Sequence, residues 1–426
     1  MTILFLLGVL FALLFIGVPV AMSLGLASVG TMLLFGDQSL VSLSQRFFHT
    51  MQVYPLLAVP FFILAGSFMT TGGVARRMID FANALVGHYR GGLAMAALLA
   101  CAFFAAVSGS APATVVAVGS VMIAGMVNSG YSRPFAAGVI CNSGTLGILI
   151  PPSLVMVVYG AITESSIGKL FMAGVLPGVL MTIAMMGTIM FIARNQDLPR
   201  QEKADFATVL KTFREALWGL MLIVIIMGGI YAGIFTPTEA AAVSAVYAFF
   251  IAVFIYKDIS IQDVPSVLID SSKITVMLMF IIANAFMFAF LLTTEQIPQM
   301  ASSFIGELGL PVWGFLLVLN LLLLLSGNFM EPTSVVLILT PIVFPIATSM
   351  GIDPIHLGVL MVVNMQIGLV TPPVGLNLFV TAGVAEMTLE ETIKAALPWL
   401  AVLLIVLMII TFVPWISLVL PELLIE

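Results

Sequence analysis

Ser108-Gly-Ser-Ala-Pro-Ala-Thr114 and, far downstream, Ser326-Gly-Asn-Phe-Met-Glu-Pro-Thr-Ser334 are short polar stretches set in long apolar runs. Each is followed by a second interruption: Asn142-Ser-Gly-Thr-Leu-Gly-Ile-Leu-Ile-Pro-Pro152 after the first, Asn364-Met-Gln-Ile-Gly-Leu-Val-Thr-Pro-Pro373 after the second. In hydrocarbon every backbone N–H and C=O must be satisfied within the chain. Breaks rich in Gly, Pro, Ser and Asn therefore persist only where they face protein or a wet cavity. Paired breaks in corresponding positions of two halves are the sequence pointer to a transport site.

The rest of the chain supports a membrane setting. Of 426 residues, 62% are hydrophobic and 8% charged. So few charges cannot cover a soluble surface, and the alternation of a lipid-facing barrel is absent, which leaves an all-α polytopic membrane protein. The opening run from Thr2 to Gly17 reads as a retained span, because no Lys or Arg precedes Arg46 to supply the basic start of a cleaved leader. Cys101 and Cys141 sit in apolar segments without CxxC context and read as packing residues. His49, His88 and His356 share no ligand spacing. Titratable residues do not cluster, so no catalytic site is expected and the chain is not read as an enzyme.

In chain order, Gly17-Val18-Pro19 splits residues 2–35 into two short crossings. Residues 37–51 are amphipathic, 53–70 cross, and 72–90 have the helical spacing of an interfacial arm. Residues 91–107 and 114–128 flank the first polar tip as a re-entrant hairpin; 134–163 cross with a break, and 169–193 cross back. A charged linker from Arg194 to Glu215 follows, and the plan repeats: crossings at 218–234 and 240–256, an amphipathic segment at 261–270 with Asp258 answering Asp37, and a crossing at 274–292. A second hairpin spans 310–325 and 335–350, a second broken crossing spans 354–385, and 393–413 end the membrane part. Pro112 and Pro332, Pro134 and Pro354, and Gly138 and Gly358 all keep a spacing of 220 residues.

Five crossings per half is an odd number, so the second half enters the membrane upside down. The expected architecture is two inverted-topology repeats with ten crossings and two re-entrant hairpins. Twelve of the fourteen Lys and Arg residues then fall on one side and only Arg46 and Lys169 on the other, which assigns the rich side to the cytoplasm and both termini to the periplasm.

A helix that starts at mid-membrane presents bare N–H groups and a positive dipole end, suited to an anion; one that stops there presents carbonyls, suited to a cation. Pro112 and Pro332 suit the first turn of such helices. Carbonyls around Ser108, Asn142, Gly144 and Thr145, and around Gly327, Asn328, Asn364 and Gln366, form two candidate shells for a small hard cation. Glu331 has two readings, a cap of the second hairpin helix or a direct contact to ion or substrate. Asn142 and Asn364 are likewise either helix-packing amides or ligands. No Lys or Arg falls at the tips or breaks. A substrate carboxylate must then rest on helix N-termini, hydroxyls, amides and bound cations, with Ser110, Thr114, Asn142, Thr333, Ser334 and Thr371 as candidate contacts.

With these residues in view, the chain resembles the large membrane subunit (M, DctM-like) of tripartite ATP-independent periplasmic (TRAP) transporters. The resemblance runs nearly end to end through VPFFILAGSFM at 59–69, GGVARRMIDFA at 72–82, AAVSGSAPATVVAVGS at 105–120, ILIPPS at 148–153, GGIYAGIFTPTEAAA at 228–242, GNFMEPTSVVLI at 327–338 and TPPVGLNL at 371–378. It implies a Na⁺-driven importer in the bacterial inner membrane, with two or more coupling ions. It also implies two partners, a soluble periplasmic binding protein (DctP-like) that delivers substrate and a small four-helix membrane subunit (DctQ-like); no nucleic-acid partner is implied. The family resembles elevator-type members of the ion-transporter superfamily. By that analogy 1–90 and 216–309 are the scaffold, 91–194 and 310–426 the mobile transport domain, and 195–215 the linker. Na⁺ would lie between Ser108, Gly109, Ser110 and the segment Asn142 to Thr145, and between Gly327 to Glu331 and Asn364 to Gly368. The tip and break sequences look closest to the C4-dicarboxylate branch (succinate, malate or fumarate). Sialic acid or another carboxylate is the alternative substrate, and a passive anion channel the alternative of a different class.

Overall fold

The computed structural model describes residues 2–35, 40–195, 198–307 and 309–424. Asp37, the expected start of the first amphipathic segment, and linker residues 196 and 197 lie outside them. Every regular element among the described residues is a helix, and nine helices are long and apolar enough to span a bilayer. Three of those nine, Ala111–Asn128, Val312–Phe329 and Pro332–Ser349, belong to the expected hairpins, so length alone does not separate re-entrant from crossing helices.

The duplication is visible in the helix order. Hairpin 1 pairs Gly92–Ser108 with Ala111–Asn128, and hairpin 2 pairs Val312–Phe329 with Pro332–Ser349. Broken helix 1 consists of Arg133–Ser143, a tight turn Gly144–Ile148 and Leu154–Thr163; broken helix 2 consists of Pro354–Gly368 and Leu376–Ala385. Local chemistry sets these boundaries. Ser132 Oγ accepts from Phe135 N at 3.4 Å and Asp353 Oδ1 accepts from Ile355 N at 2.7 Å, each with Pro in the opening turn, where no N–H is needed. At the break, Ser153 Oγ donates to Ile148 O at 2.5 Å and accepts from Met156 N at 3.4 Å, so one hydroxyl closes one helical piece and opens the next. Tyr159 and Trp399 are among the largest fully buried side chains, and Tyr159 OH donates to Pro354 O at 2.7 Å, joining the two broken helices.

Three expectations are corrected. The amphipathic segment 261–270 and the crossing 274–292 form one helix, Val264–Thr294, of 31 residues. No Gly or Pro interrupts 266–294, whereas the first half has a 3-10 turn with Pro55 between its amphipathic helix and its crossing. The linker is shorter than 195–215, because Asp205 caps a helix that begins at Phe206. Hydrogen bonding from the Thr208 side chain, and from Thr208 N to Asp205 Oδ1 at 3.1 Å, holds the Asp205 carboxyl below its usual range. The arm at 72–90 is the helix Val74–Val86, but its apolar face (Val74, Met78, Ile79, Ala82) is buried against Gly92–Ser108 and Phe206–Ile223 rather than open to lipid. Two short helices, Ile297–Glu307 and Trp415–Leu424, were not expected.

Candidate functional site

Both hairpin tips and both breaks open onto one cavity of about 500 Å³. Tip 1 contributes Ser108, Gly109, Ser110 and Pro112; tip 2 contributes Glu331, Pro332 and Thr333. Ile148 and Leu154 flank break 1, Leu369 and Leu376 flank break 2, and the far wall comes from Gly66 and Thr70 on one helix and Ser266, Asp270 and Ile274 on another. Among the described residues its charged side chains are two carboxylates, Glu331 and Asp270, and no Lys, Arg or His.

Tip 1 is a tight reversal. Gly109 has φ of 60°, a left-handed conformation that costs a glycine little, and its backbone lies against Pro152 O. Ser110 is the N-cap of the next helix, with Ala113 N donating to its Oγ at 3.5 Å. Thr114 Oγ1 donates to Ser110 O at 2.8 Å and lies 3.0 Å from Ser108 Oγ, so two hydroxyls of the predicted set and the Ser110 carbonyl gather at the tip. Gly147 brings break 1 against this tip: a Cβ there would lie 2.7 Å from Ser110 O.

Tip 2 is built around Glu331 and Asn328. Glu331 caps Pro332–Ser349; its Oε2 accepts from Ser334 N at 3.1 Å and Ser334 Oγ at 3.4 Å, and its Oε1 accepts from Thr333 Oγ1 at 2.8 Å. Asn328 stitches the tip to break 2. Its Nδ2 donates to Pro372 O at 2.9 Å, while its Oδ1 accepts from Val374 N at 3.0 Å and Gly375 N at 3.1 Å. Gly327 and Gly368 meet backbone to backbone, such that a Cβ on Gly368 would lie 2.8 Å from the Gly327 carbonyl carbon.

The remaining predicted residues lie behind the cavity wall. Asn142 Nδ2 donates to Gly138 O at 2.9 Å and Ala396 O at 3.4 Å; Asn364 Nδ2 donates to Leu360 O and Asn320 Oδ1, both at 2.8 Å. Their nitrogens thus serve helix packing, while both Oδ1 atoms are buried without a hydrogen-bond partner. Thr145 Oγ1 donates to Asn142 O at 2.7 Å, and Gly144 packs on Val115 of hairpin 1. Gln366 Nε2 lies 3.1 Å from Met181 Sδ, and its Oε1, like the Oδ1 atoms of Asn142 and Asn364, is buried without a hydrogen-bond partner. Thr371 Oγ1 donates to Ile367 O at 2.8 Å within break 2.

Sequence reasoning missed several participants. Asn320 links Asn364 to Thr411 Oγ1, to which its Nδ2 donates at 2.9 Å, and its isolation in an apolar helix was the available signal. Asp270 and Ser266 were assigned to the membrane surface because the continuity of Val264–Thr294 was not foreseen.

The chain matches, over residues 7–416, the family described as "Tripartite ATP-independent periplasmic transporter, DctM component". It is 62% identical over 400 residues to the C4-dicarboxylate TRAP transporter large permease protein DctM of Pseudomonas aeruginosa, covering 94% of each chain. It is 55% identical over 430 residues to the protein of that name from Vibrio cholerae, covering 96% of this chain and 95% of that one. The sialic acid TRAP transporter large permease protein SiaM of Vibrio cholerae is 36% identical over 411 residues, covering 96% of each. In fold alone it is similar to the YdaH transporter of Alcanivorax borkumensis, with a TM-score of 0.62 at 15% identity over 88% of this chain and 87% of that one. A second solved structure, MtrF of Neisseria gonorrhoeae, gives 0.63 at 12% identity over 89% and 85%. An all-helical chain with paired interrupted segments around one cavity, matched nearly end to end, belongs to the DctM family of TRAP transporter large permease subunits, membrane transporters and not enzymes.

Proposed function

We propose that this chain is the translocation subunit of a Na⁺-coupled importer of a C4-dicarboxylate in the bacterial inner membrane. It receives substrate from a periplasmic binding protein and works with a small membrane subunit. The dicarboxylate reading is supported by the names of relatives at 62% and 55% identity. The observation that carries the coupling is the charge of the cavity. It is lined by Glu331 and Asp270 and by no basic side chain among the described residues; Asp270 is paired with Lys273 at 2.8 Å, so Glu331 is the carboxylate whose charge a dianionic substrate entering alone meets as repulsion. Two features offset it: the N-terminal ends of Ala111–Asn128 and Pro332–Ser349, which point positive dipole ends at the cavity, and cations that enter with the substrate. The unpartnered Oδ1 atoms of Asn142 and Asn364 lie behind the two tips, where hard-cation ligands are needed. Transport by movement of the hairpins and broken helices against Ala58–Thr71 and Val264–Thr294 is consistent with both groups sharing one cavity.

The test is uptake of labelled succinate into proteoliposomes that contain the chain and its small subunit, with binding protein supplied outside. Uptake is expected to rise with an inward Na⁺ gradient and to collapse when a sodium ionophore dissipates it. Uptake indifferent to Na⁺, or continuing down the substrate gradient alone as in a channel, would overturn the coupling.

A further inference from the structure

Away from the transport cavity, a second pocket of about 1040 Å³ lies where the start of Phe206–Tyr231, the end of Pro237–Ile255 and the helix Val74–Val86 meet. It is lined by four cations, Arg76, Arg77, Lys211 and Arg214, and three carboxylates, Asp80, Glu215 and Asp258. Its floor is fixed. The Arg77 guanidinium is 2.6 Å from Asp258 Oδ2, donates to Gly73 O at 3.0 Å and stacks 3.8 Å over the Tyr256 ring; Tyr256 OH donates to Glu215 O at 2.6 Å. Three structural elements are thereby tied together, and Arg77 is committed.

The rim differs. Arg76, Lys211 and Arg214 are exposed, and among the described residues none has a carboxylate within 4.0 Å. Lys211, Arg214 and Trp218 recur at helical spacing along one stripe, with Trp218 42% and Leu210 47% exposed at the pocket edge. Phe206, at the helix start, is 81% exposed. A cationic recess with aromatic and aliphatic side chains beside it, at the end of a membrane-length helix, has the chemistry of an interfacial headgroup site: the recess takes a phosphate, and the apolar edge takes acyl chain. The balance of four cations against three carboxylates leaves one positive charge, which suits a phosphodiester monoanion better than a dianion.

We propose that this pocket holds the headgroup of an anionic phospholipid, with Arg76, Lys211 and Arg214 as its ligands. The lipid joins the Val74–Val86 helix to the first helix of the second repeat at the rim of the recess whose floor Arg77 ties. Its occupancy does not depend on the proposed substrate or on Na⁺ coupling.

The test uses the purified full chain in detergent, titrated with phosphatidylglycerol, phosphatidylethanolamine or inorganic phosphate. Bound lipid is counted by native mass spectrometry and the melting midpoint is followed. Phosphatidylglycerol alone is expected to bind and raise the midpoint. Each surface cation contributes about fivefold to such affinity, so the triple variant R76Q/K211Q/R214Q is expected to need on the order of a hundredfold more lipid. Should the triple variant fail to fold, K211Q and R214Q singly, each expected to need about fivefold more, carry the same test. Equal binding by wild type and variant, equal effect of phosphatidylethanolamine, or full protection by inorganic phosphate would each overturn the proposal. So would loss of lipid binding when the small subunit is added, since that would make the recess a protein contact.

Discussion

At tip 2 the decisive residues are Glu331 and Asn328. Both Glu331 oxygens are engaged by Thr333 and Ser334, which favours the capping reading. Glu331→Ala is therefore expected to cost about 1 kcal/mol of stability, seen as a lower melting midpoint. Glu331→Gln keeps an acceptor and is expected to leave assembly unchanged while easing the repulsion in the cavity, and so to weaken, without abolishing, the Na⁺ dependence of uptake. If Gln instead abolishes Na⁺ dependence in a well-folded complex, the carboxylate is an ion contact. At Asn142 and Asn364 the nitrogen serves packing, and the unpaired oxygen is the atom left for the proposed ligand role. Asn364→Ala is expected to lower the melting midpoint, because Asn320 Oδ1 loses a buried donor at a cost of about 1–3 kcal/mol, and also to raise the Na⁺ concentration for half-maximal uptake. A variant that is less stable but unchanged in Na⁺ dependence would leave packing as its whole role. The polar tips were legible because Ser, Asn and Glu stand out in apolar sequence. Which side of each amide is spent on packing was not, because Ala396 and Asn320 are distant in the chain and only the packed fold brings them near.

Among the elements, the hairpins and broken helices were readable from Pro, Gly and capping residues, which act locally. The fused helix Val264–Thr294 was misread for the opposite reason. A change in polarity near Asp270 looks like a boundary, but backbone hydrogen bonding continues through it when no breaker intervenes. Lys273 Nζ, 2.8 Å from Asp270 Oδ1 on the same helix, accommodates the charge there. The contact between Gly327 and Gly368 sets how closely hairpin 2 seats on broken helix 2. Gly368→Ala is expected to destabilise the chain and reduce uptake, because its Cβ would meet backbone at 2.8 Å, which cannot swing aside. Gly383→Ala, with nothing within 4 Å of the added Cβ, is the control expected to behave as wild type.

For the whole molecule, the inverted duplication predicts sidedness. Both native cysteines are buried, so single introduced cysteines give a clean reading. Lys203→Cys is expected to react with a membrane-impermeant thiol reagent only after cells are opened, and Glu422→Cys, exposed in the final helix, to react in intact cells. The reverse pattern would invert the proposed orientation. Repeat spacing and charge asymmetry are the sequence features on which this expectation rests. The meeting of Ala58–Thr71 and Val264–Thr294 with all four interrupted segments was not legible there, since their register depends on packing across hundreds of residues.

Gly66 sits where the helix Ala58–Thr71 passes tip 1, and a Cβ on it would lie 3.1 Å from Ser108 O. Under the proposed motion this is a bearing surface, smooth because one side has no side chain to catch. A larger residue there would act as a brake, slowing turnover, and would press on Ser108 O, itself one of the candidate ion ligands.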